Sequence, residues 1–386
     1  MQFNKESEVG VIGAGAMGSG IAQVAATAGH KVFLFDVNEK SLELSKAKLA
    51  KVMARLVEKG RVSNDEATSI QSRIQYSNGL DSFQNCNLII EAIIENLKVK
   101  QGLFADLEKI VSSTAVLATN TSSLSIASIG GHLTNPERLV GIHFFNPAPL
   151  MPLVEVVPSL VTQQGLAEQV VSLIKFWGKS PVLAKDTPGF IVNRVARPFY
   201  SEAIKMLEEG FADVPTIDWA MKEIGGFRMG PFELMDLIGH DVNFVVTETV
   251  WKEMFYDPRY KPSITQKRLK EANRLGRKSG QGFYVYGENK ENPKPIQDLE
   301  KGHLIFERII FMLINEAIDA EFLQVASRAD IETAMTKGVN YPKGLIAWGE
   351  EIGWQKVLNG LNALFLRYGD DRYRASVLLK DMVEGK

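Results

Sequence analysis

The sequence predicts an α/β domain with a doubly wound sheet, followed by two related all-α domains. Three observations lead to this prediction: a glycine-rich turn directly after the first apolar strand, further short apolar strands with helical patterns between the early ones, and a helical half that repeats itself. Strands that alternate with helices are typical of a parallel sheet. We expect the domains to span residues 1–185, 186–286 and 296–386.

Length and composition narrow the class of protein. The chain has 386 residues, 45% of them hydrophobic and 23% charged, which suits two or three globular domains. The formal net charge of −2 argues against a general nucleic-acid or membrane-surface binder, although a local basic pocket for a phosphorylated ligand is compatible with it. No apolar run has the length of a membrane span and the start lacks a signal-peptide pattern, so we expect a cytoplasmic protein.

Neither metal nor disulfide chemistry is indicated. Cys86 is the single cysteine, and we interpret it as a structural thiol. The five histidines are scattered without the spacing of metal ligands, so the sequence predicts no metal site.

The first apolar strand, residues 8–12, leads into a turn that contains Gly13, Gly15 and Gly18, and a helical run follows. A glycine-rich turn alone is weak evidence. Here, however, a second strand ends at Asp36, 18 positions past the third glycine, and the whole set is the fingerprint of a Rossmann-type dinucleotide site. The glycines permit, in turn, a tight bend, close approach of a pyrophosphate and close packing of helix on strand.

The predicted cofactor is NAD. Its pyrophosphate would lie at the helix N-terminus, where free N–H groups and the helix dipole favour an anion. Asp36 would accept hydrogen bonds from the ribose hydroxyls and repel a 2′-phosphate, which favours NAD over NADP. The loop residues that we expect to contact the cofactor are Gly13, Gly15, Ala16, Met17 and Gly18.

The next segments carry candidates for ligand contacts. Residues 38–75 are predicted to form a lysine-rich helical pair, in which Lys59 is our candidate for a substrate phosphate and a solvated helix face is the simpler interpretation. Residues 88–94 form a predicted buried strand that ends at Glu95, at the strand edge where open α/β sheets bind ligands.

A further strand, residues 115–119, leads into Ser122 and Ser123 at the mouth of a helix. Helix capping accounts for one of these serines, which leaves the other for substrate.

His143 ends the apolar run 139–143, and Glu155 lies inside the next run, 153–157. A lone histidine in such a run is most often a core residue. A carboxylate between valines, however, needs a cation or a donor, and the proline-rich turn between the two strands could place them side by side. A His–Glu pair is a general acid/base, in which the carboxylate fixes the imidazole tautomer.

The helical half contains an internal repeat. Several segments recur at a constant offset of 114 residues, which predicts a duplicated helical unit joined by the polar linker 287–295. We expect the second copy to pack on the first, as related apolar faces commonly do. The matching segments are 202–204 with 316–318, 220–221 with 334–335, 230 with 344, 238–239 with 352–353, and, after one deletion, 257–260 with 370–373.

Two residues after the sheet domain are further candidates. Asn193 lies near the start of a predicted long helix, where an exposed polar residue is an equally simple interpretation. Glu307 occupies its place in the second copy, so only the first copy should serve a site in the cleft with the sheet. Lys278, in a glycine-rich turn, is either part of a solvated loop or a contact to cofactor or substrate.

Together these motifs resemble those of the L-3-hydroxyacyl-CoA dehydrogenases, continuously from residue 8 to about residue 286. The motifs that carry the resemblance are residues 13–18, 95–100, 120–124, 143–147, 153–156, 186–194, 229–234 and 278–284.

The resemblance implies reversible, NAD-dependent oxidation of a (3S)-3-hydroxyacyl-CoA in fatty-acid or aromatic-acid β-oxidation, with 3-hydroxybutyryl-CoA or 3-hydroxyadipyl-CoA as the expected substrate. By matching motif, it implies that His143 is the catalytic base, that Glu155 supports it, and that Ser122 and Asn193 bind the substrate. The cofactor contacts that it implies are Gly13, Gly15, Gly18, Asp36, Glu95, Lys100, Ser122, Asn146 and Lys278.

The second helical copy departs from the shorter family members, which lack it, and is similar to a part of the larger multifunctional β-oxidation enzymes. In the short members, helical domains of two subunits pair. The second copy could mimic that contact within one chain, so a homodimer and a monomer with an internal pseudo-dimer both remain open.

Two other functions compete with this interpretation. A different Rossmann-type hydroxyacid dehydrogenase, such as a 6-phosphogluconate-type enzyme, would need a lysine-based site in the helical domain and would ignore CoA thioesters. A catalytically silent NAD-binding structural protein is the alternative outside the enzymes. The intact set of Ser122, His143, Glu155 and Asn193 argues against it.

Overall fold

The computed structural model describes residues 3–288 and 291–386, and the chain divides into two compact units, Met1–Thr187 and Pro188–Lys386. Within the described ranges, no helix has the length and apolar character needed to cross a membrane. The predicted linker 287–295 belongs to the second unit, and its residues 289 and 290 lie outside the described residues. The predicted boundary between the two helical copies stays a prediction.

The first unit is built on one sheet, which in its described part has eight strands in the order β3-β2-β1-β4-β5-β6-β7-β8. The strands are β1 (Val9–Ile12), β2 (Val32–Phe35), β3 (Ile74–Ser77), β4 (Leu88–Glu91), β5 (Val116–Thr119), β6 (Leu139–Phe144), β7 (Leu153–Pro158) and β8 (Ser180–Leu183). The helices are α1 (Ala16–Thr27), α2 (Glu39–Glu58), α3 (Asn64–Ser72), α4 (Leu97–Ile110), α5 (Ile126–Gly130) and α6 (Leu166–Phe176).

The order and direction of the strands confirm the predicted doubly wound sheet. The first six strands in this order, from β3 at the edge to β6, are parallel to one another. Strand β7 runs antiparallel to β6, and β8 runs parallel to β7. The chain leaves β3 at one side of β1 and returns at the other side as β4. This reversal opens a crevice at the carboxyl ends of β1 and β4, which is where such sheets bind ligands.

Burial explains why these segments form central strands. Every residue of β1, β4 and β5 is buried, as expected for parallel strands covered on both faces. The strand predicted at 88–94 is shorter than expected and ends at Glu91. The N–H of Ile93 donates to the Glu91 carboxylate at 2.7 Å, so the chain turns out of the sheet there.

The second unit is helical throughout its regular elements. The described α-helices of the first copy are α7 (Val192–Val195), α8 (Arg197–Glu208), α9 (Val214–Trp219), α10 (Pro231–Ile238), α11 (His240–Glu253) and α12 (Ile264–Glu271), and a π-helix, Ala220–Ile224, follows α9. Those of the second copy are α13 (Leu299–Phe322), α14 (Arg328–Gly338), α15 (Leu345–Ile352), α16 (Trp354–Tyr368) and α17 (Val377–Glu384).

The prediction of one long helix from about residue 190 is wrong, because the helix is broken between α7 and α8. Pro198 lies in the first turn of α8, and proline is tolerated there but not inside a helix. Asn193 therefore lies on the short helix α7.

The two copies pack on each other through a reciprocal exchange of buried ion pairs. Arg194 Nε lies 2.8 Å from Glu316 Oε1, and the corresponding pair at the offset of 114, Arg308 Nε and Glu202 Oε2, is 3.0 Å apart. All four residues are buried. Each copy thus supplies an arginine to the other's glutamate, which is the pattern of a two-fold interface, here within one chain.

Candidate active site

The glycine-rich loop between β1 and α1 is tightly packed at two of its glycines and open at the third. Gly13 has φ +102°, and a Cβ on it would lie 2.5 Å from the carbonyl oxygen of Ala92. A Cβ on Gly18 would lie 1.7 Å from the carbonyl oxygen of Gly13. Among the described residues nothing lies within 4 Å of a Cβ built on Gly15. The space above Gly15 suits a phosphate group.

The start of α1 is suited to an anion. Gly15 is the N-cap residue, so no side chain caps the helix, and no acidic residue lies in its first turn. Ala16 and Met17 open the helix, where backbone N–H groups lack helical acceptors and the dipole is positive. These features fit the pyrophosphate of a dinucleotide.

Asp36 follows the end of β2 and lies directly beside this loop. Its Oδ2 accepts a hydrogen bond from the N–H of Ala14 at 2.7 Å, and its Oδ1 accepts one from the N–H of Asn38 at 2.8 Å. Both bonds fix the carboxylate at the carboxyl end of β2. A ribose hydroxyl at this edge would meet an acceptor held in place.

Glu95 joins the ends of β4 and β5. Its Oε1 accepts hydrogen bonds from Thr121 Oγ1 at 2.6 Å, from the N–H of Ser122 at 3.0 Å and from Ser123 Oγ at 3.1 Å. Burial alone would raise the pKa of Glu95, but the charge of Lys100 and these hydrogen bonds outweigh it and lower the pKa below its ordinary value. The carboxylate is therefore ionised at neutral pH.

The prediction that helix capping uses Ser122 or Ser123 is wrong. Helix α5 is capped by Ser125, whose Oγ accepts from the N–H of Ser128 at 3.2 Å, and Asp186 accepts from the N–H of Ile126 at 3.0 Å. The loop is longer than the sequence indicated, so both earlier serines contact Glu95 instead.

Lys100, predicted to contact the cofactor, is only 1% exposed. Its Nζ lies 2.5 Å from Glu91 Oε1 and 3.3 Å from Glu95 Oε2. Glu91 is completely buried and also accepts a hydrogen bond from Thr119 Oγ1 at 2.7 Å. In this structure Lys100 thus holds Glu95 in place from beneath the crevice.

Glu91 was not identified from the sequence, although a signal was present. It is a glutamate inside the apolar run 88–94, which is the same pattern that identified Glu155. A buried carboxylate of this kind requires a partner, and the partner is Lys100, nine residues further along the chain.

His143 and Glu155 lie directly opposite each other on the antiparallel strands β6 and β7. His143 Nδ1 is 2.7 Å from Glu155 Oε2, so the expected pairing of the two side chains is confirmed. Glu155 is completely buried and His143 is 7% exposed. A histidine held by a buried carboxylate at the carboxyl end of a strand can exchange a proton with a ligand in the crevice.

The turn between these strands is held by Lys179, for which the sequence predicts no role. Lys179 Nζ donates to the carbonyl oxygens of Ala148 at 2.6 Å and Met151 at 2.9 Å. Asn146, a predicted cofactor contact, is exposed in this turn and precedes a cis peptide bond to Pro147.

Three further residues are predicted to contribute to the site. Lys59 is exposed at the end of α2. Asn193 belongs to α7 in the second unit, and Lys278 lies in a turn of that unit with its Nζ 2.5 Å from Asp241 Oδ1. Their roles stay predictions.

The chemistry of the described residues includes no candidate metal centre, because no group of three or more His, Cys, Asp or Glu side chains could hold an ion. Cys86 is 2% exposed, and burial raises the pKa of its thiol to about 12. This agrees with a structural thiol.

Comparison with known families gives two matches that together cover most of the chain. Residues 8–187 match the family described as 3-hydroxyacyl-CoA dehydrogenase, NAD binding domain. The family described as 3-hydroxyacyl-CoA dehydrogenase, C-terminal domain, matches two segments, residues 189–286 and residues 304–386.

Individual proteins show the same likeness. A 3-hydroxyadipyl-CoA dehydrogenase of Escherichia coli is 38% identical over 98% of this chain and 98% of its own length. The human mitochondrial hydroxyacyl-coenzyme A dehydrogenase is 42% identical over 72% of this chain and 90% of its own. The crystal structure of 3-hydroxybutyryl-CoA dehydrogenase from Escherichia coli superposes with a TM-score of 0.93 at 35% identity, and covers 99% of both chains.

Proposed function

Because this chain belongs to the 3-hydroxyacyl-CoA dehydrogenase family and uses NAD, we propose that it interconverts a (3S)-3-hydroxyacyl-CoA and its 3-oxoacyl-CoA with His143 as the acid/base. The observation that supports this role best is the 2.7 Å contact between His143 Nδ1 and buried Glu155. The pair lies at the carboxyl end of β6, in the sheet whose β1 leads into the glycine-rich loop.

Proton transfer is the part of the reaction that these two residues perform. NAD bound at the glycine-rich loop would supply the acceptor for the hydride that leaves C3 of the substrate. Glu155 holds Nδ1 of His143, so Nε2 is the ring nitrogen that takes the proton of the substrate hydroxyl. The positive charge that develops on the ring is stabilised by the carboxylate, and in the reductive direction the imidazolium returns the proton.

Ser122 and Asn193 would bind the substrate oxygen at C3. Hydrogen-bond donors at this oxygen stabilise the negative charge that develops on it. Ser122 is partly buried in the loop after β5, where its N–H and Oγ lie 3.0 and 3.4 Å from Glu95 Oε1. The role of Asn193 rests on the family motif at residues 186–194.

The dicarboxylic thioester 3-hydroxyadipyl-CoA is the first candidate substrate. The relative of that name aligns along nearly the whole chain, including the second helical copy. The solved 3-hydroxybutyryl-CoA dehydrogenase also covers the whole chain, so the short-chain thioester is the second candidate.

A rate profile over acyl groups tests both the activity and the substrate. We expect NAD reduction with 3-hydroxyadipyl-CoA at a higher kcat/KM than with 3-hydroxyhexanoyl-CoA, which has the same chain length but no terminal carboxylate. A higher value for the uncharged thioester would overturn the dicarboxylic substrate. Absence of NAD reduction with every thioester, including 3-hydroxybutyryl-CoA, would overturn the function.

The cellular location and the oligomeric state are further parts of this proposal. A bacterial relative that aligns along nearly the whole chain supports a cytoplasmic enzyme, which cell fractionation tests. The reciprocal ion pairs between the two helical copies favour a monomer with an internal pseudo-dimer over a homodimer. Sedimentation of the purified chain at a single-chain mass supports this, and a stable dimer would contradict it.

A further inference from the structure

A cavity of about 290 Å³ opens in the second unit, between α8 and the segments 258–266 and 370–372. It is far larger than a single water needs. Among the described residues that line it, none belongs to the proposed dehydrogenase site.

Arg197 lies on one wall of this cavity and is only 5% exposed. Its Nη1 donates to Thr247 Oγ1 at 2.9 Å, and its guanidinium lies 5.0 Å from the centre of the Tyr200 ring. The Nε of Arg197 has no hydrogen-bond partner among the described residues, and the same is true of the neighbouring Ser201 Oγ. Buried guanidinium donors without acceptors are costly, so an acceptor is missing from this wall.

Arg372, from the second copy, lies on the cavity wall and is 7% exposed. Its Nε is 3.2 Å from Glu202 Oε1, but within the described part of the chain neither its Nε nor its Nη2 makes a hydrogen bond. Both copies thus contribute a buried arginine to the wall of one cavity.

Glu202 faces Arg372 but does not line the cavity, and the charged side chains of the described lining sum to a positive charge. Lys205 and Lys261 add two cations, while Glu208 and Asp370 are the carboxylates of the described lining. Four cations and two carboxylates leave a formal charge of +2. Lys205 Nζ is 3.8 Å from Asp370 Oδ2, so one of these carboxylates already faces a lysine.

The internal repeat gives the lining residues of this cavity equivalent positions in the other helical copy. Comparison of the two sets shows that this polar wall is found on the cavity side alone. At the offset of 114 residues, Phe311 stands in place of Arg197 and Leu361 in place of Thr247. Phe311 is 5% exposed and Leu361 is fully buried, so hydrophobic side chains occupy those positions.

The counterpart of Arg372 is also different, because it makes hydrogen bonds to two carboxylates. Arg259 donates to Asp257 Oδ2 at 2.9 Å and to Asp319 Oδ2 at 2.7 Å. Lys205 occupies the position equivalent to Asp319, so the cavity side has a cation where the other side has an acceptor.

From this geometry we propose that the cavity binds a small oxyanion, a carboxylate or phosphate group, between Arg197 of the first copy and Arg372 of the second. Planar guanidinium groups are well matched to both groups. Since the ligand would contact both copies, its binding stabilises the folded pair and raises the Tm. The dehydrogenase reaction does not require this site.

Calorimetric titration of the full chain tests the proposal, with saturating NAD present to occupy the pyrophosphate site. The probes are inorganic phosphate and succinate, with chloride at matched ionic strength as the reference. We expect saturable binding of at least one probe at one site per chain, together with a higher Tm in that anion. Comparison of the two probes decides between a phosphate and a carboxylate ligand.

Variants locate the site. Arg197→Met removes the charge at similar length and should weaken binding about tenfold or more. Arg268→Met, on the exposed surface of α12, is the matched control and should bind like the wild type. If Arg197→Met does not fold, the test uses Lys261→Gln instead, because Lys261 is exposed. We expect Lys261→Gln to bind the anion more weakly than the wild type. Absence of saturable binding by the wild type, or equal binding by all foldable variants, would overturn the proposal.

Discussion

The side-chain oxygen of Asn120 accepts a hydrogen bond from the backbone N–H of Phe144 at 2.8 Å. Asn120 opens the loop that carries Ser122, and Phe144 follows His143 on β6. This single bond therefore links the loop proposed to bind the substrate oxygen to the strand that positions the proposed base.

Replacement of Asn120 by alanine should lower kcat by about tenfold to a hundredfold, because small displacements of catalytic groups have effects of this size. Steady-state kinetics with acetoacetyl-CoA and NADH measure it. Asn120→Asp keeps the accepting oxygen and should recover most of the rate. Asn359→Ala, on the exposed face of α16, is the control. Equal rates for Asn120→Ala and the wild type would contradict the positioning role.

The buried pair of Lys100 and Glu91 should be essential for stability. Lys100→Met leaves Glu91 without its cation and should lower the free energy of unfolding by about 3–5 kcal/mol. NAD should also bind more weakly, since Glu95 loses its partner. Urea denaturation and NAD titration measure both effects.

The double variant Glu91→Gln/Lys100→Met removes both buried charges and should recover part of the stability. Lys109→Met, which breaks an exposed lysine pair with Asp106, should change stability by about 1 kcal/mol or less. A similar small change for Lys100→Met would show that the buried pair is dispensable.

Glu95 should contribute a pH-dependent part of the stability. Its folded pKa is lowered below the ordinary 4.5, so its contribution is present above the unfolded pKa and is lost as pH falls through the folded pKa. Between neutral pH and values below 4.5, the wild type should therefore lose more free energy of unfolding than Glu95→Gln. Urea denaturation over a pH series measures the difference. Glu43→Gln, on the exposed surface of α2, should behave like the wild type, and an identical pH slope for Glu95→Gln would refute the prediction.

The contact between the helical copies should depend on Glu316. Glu316→Ala leaves the buried guanidinium of Arg194 without its nearest carboxylate and should lower the free energy of unfolding by about 3–5 kcal/mol. Chemical denaturation measures it. Asp371→Asn, which breaks an exposed pair with Arg374, should have an effect of about 1 kcal/mol or less. Equal effects of the two substitutions would show that the reciprocal ion pairs do not stabilise the pseudo-dimer.

Much of the sheet and of the proposed site could be predicted from the sequence, because local patterns determine them. The strand, glycine-rich turn and helix around Gly13 follow one another in the chain, and His143 and Glu155 are joined by a short turn. The end of β4 was predicted wrongly, since the pattern of apolar residues continues to Ile94 while the Glu91 side chain takes the next N–H that would extend the strand.

Contacts between distant segments could not be predicted in this way. The repeat predicts two similar helical copies but not how one is docked on the other, so the pairing of Arg194 with Glu316, 122 residues apart, has no local signal. The same holds for Lys179, whose contacts to the turn after β6 depend on the folded path of the chain.

Turnover of acetoacetyl-CoA by His143→Gln and Glu155→Gln tests the proposed acid/base pair most directly. We expect kcat to fall by about 10²–10⁴-fold in His143→Gln, because general acid–base catalysis contributes factors of this size, and by orders of magnitude in Glu155→Gln. The dissociation constant for NADH should stay largely unchanged in both, since neither residue belongs to the glycine-rich loop. Near-normal turnover in both variants would contradict the assignment of His143 and Glu155 as the proton-transferring pair.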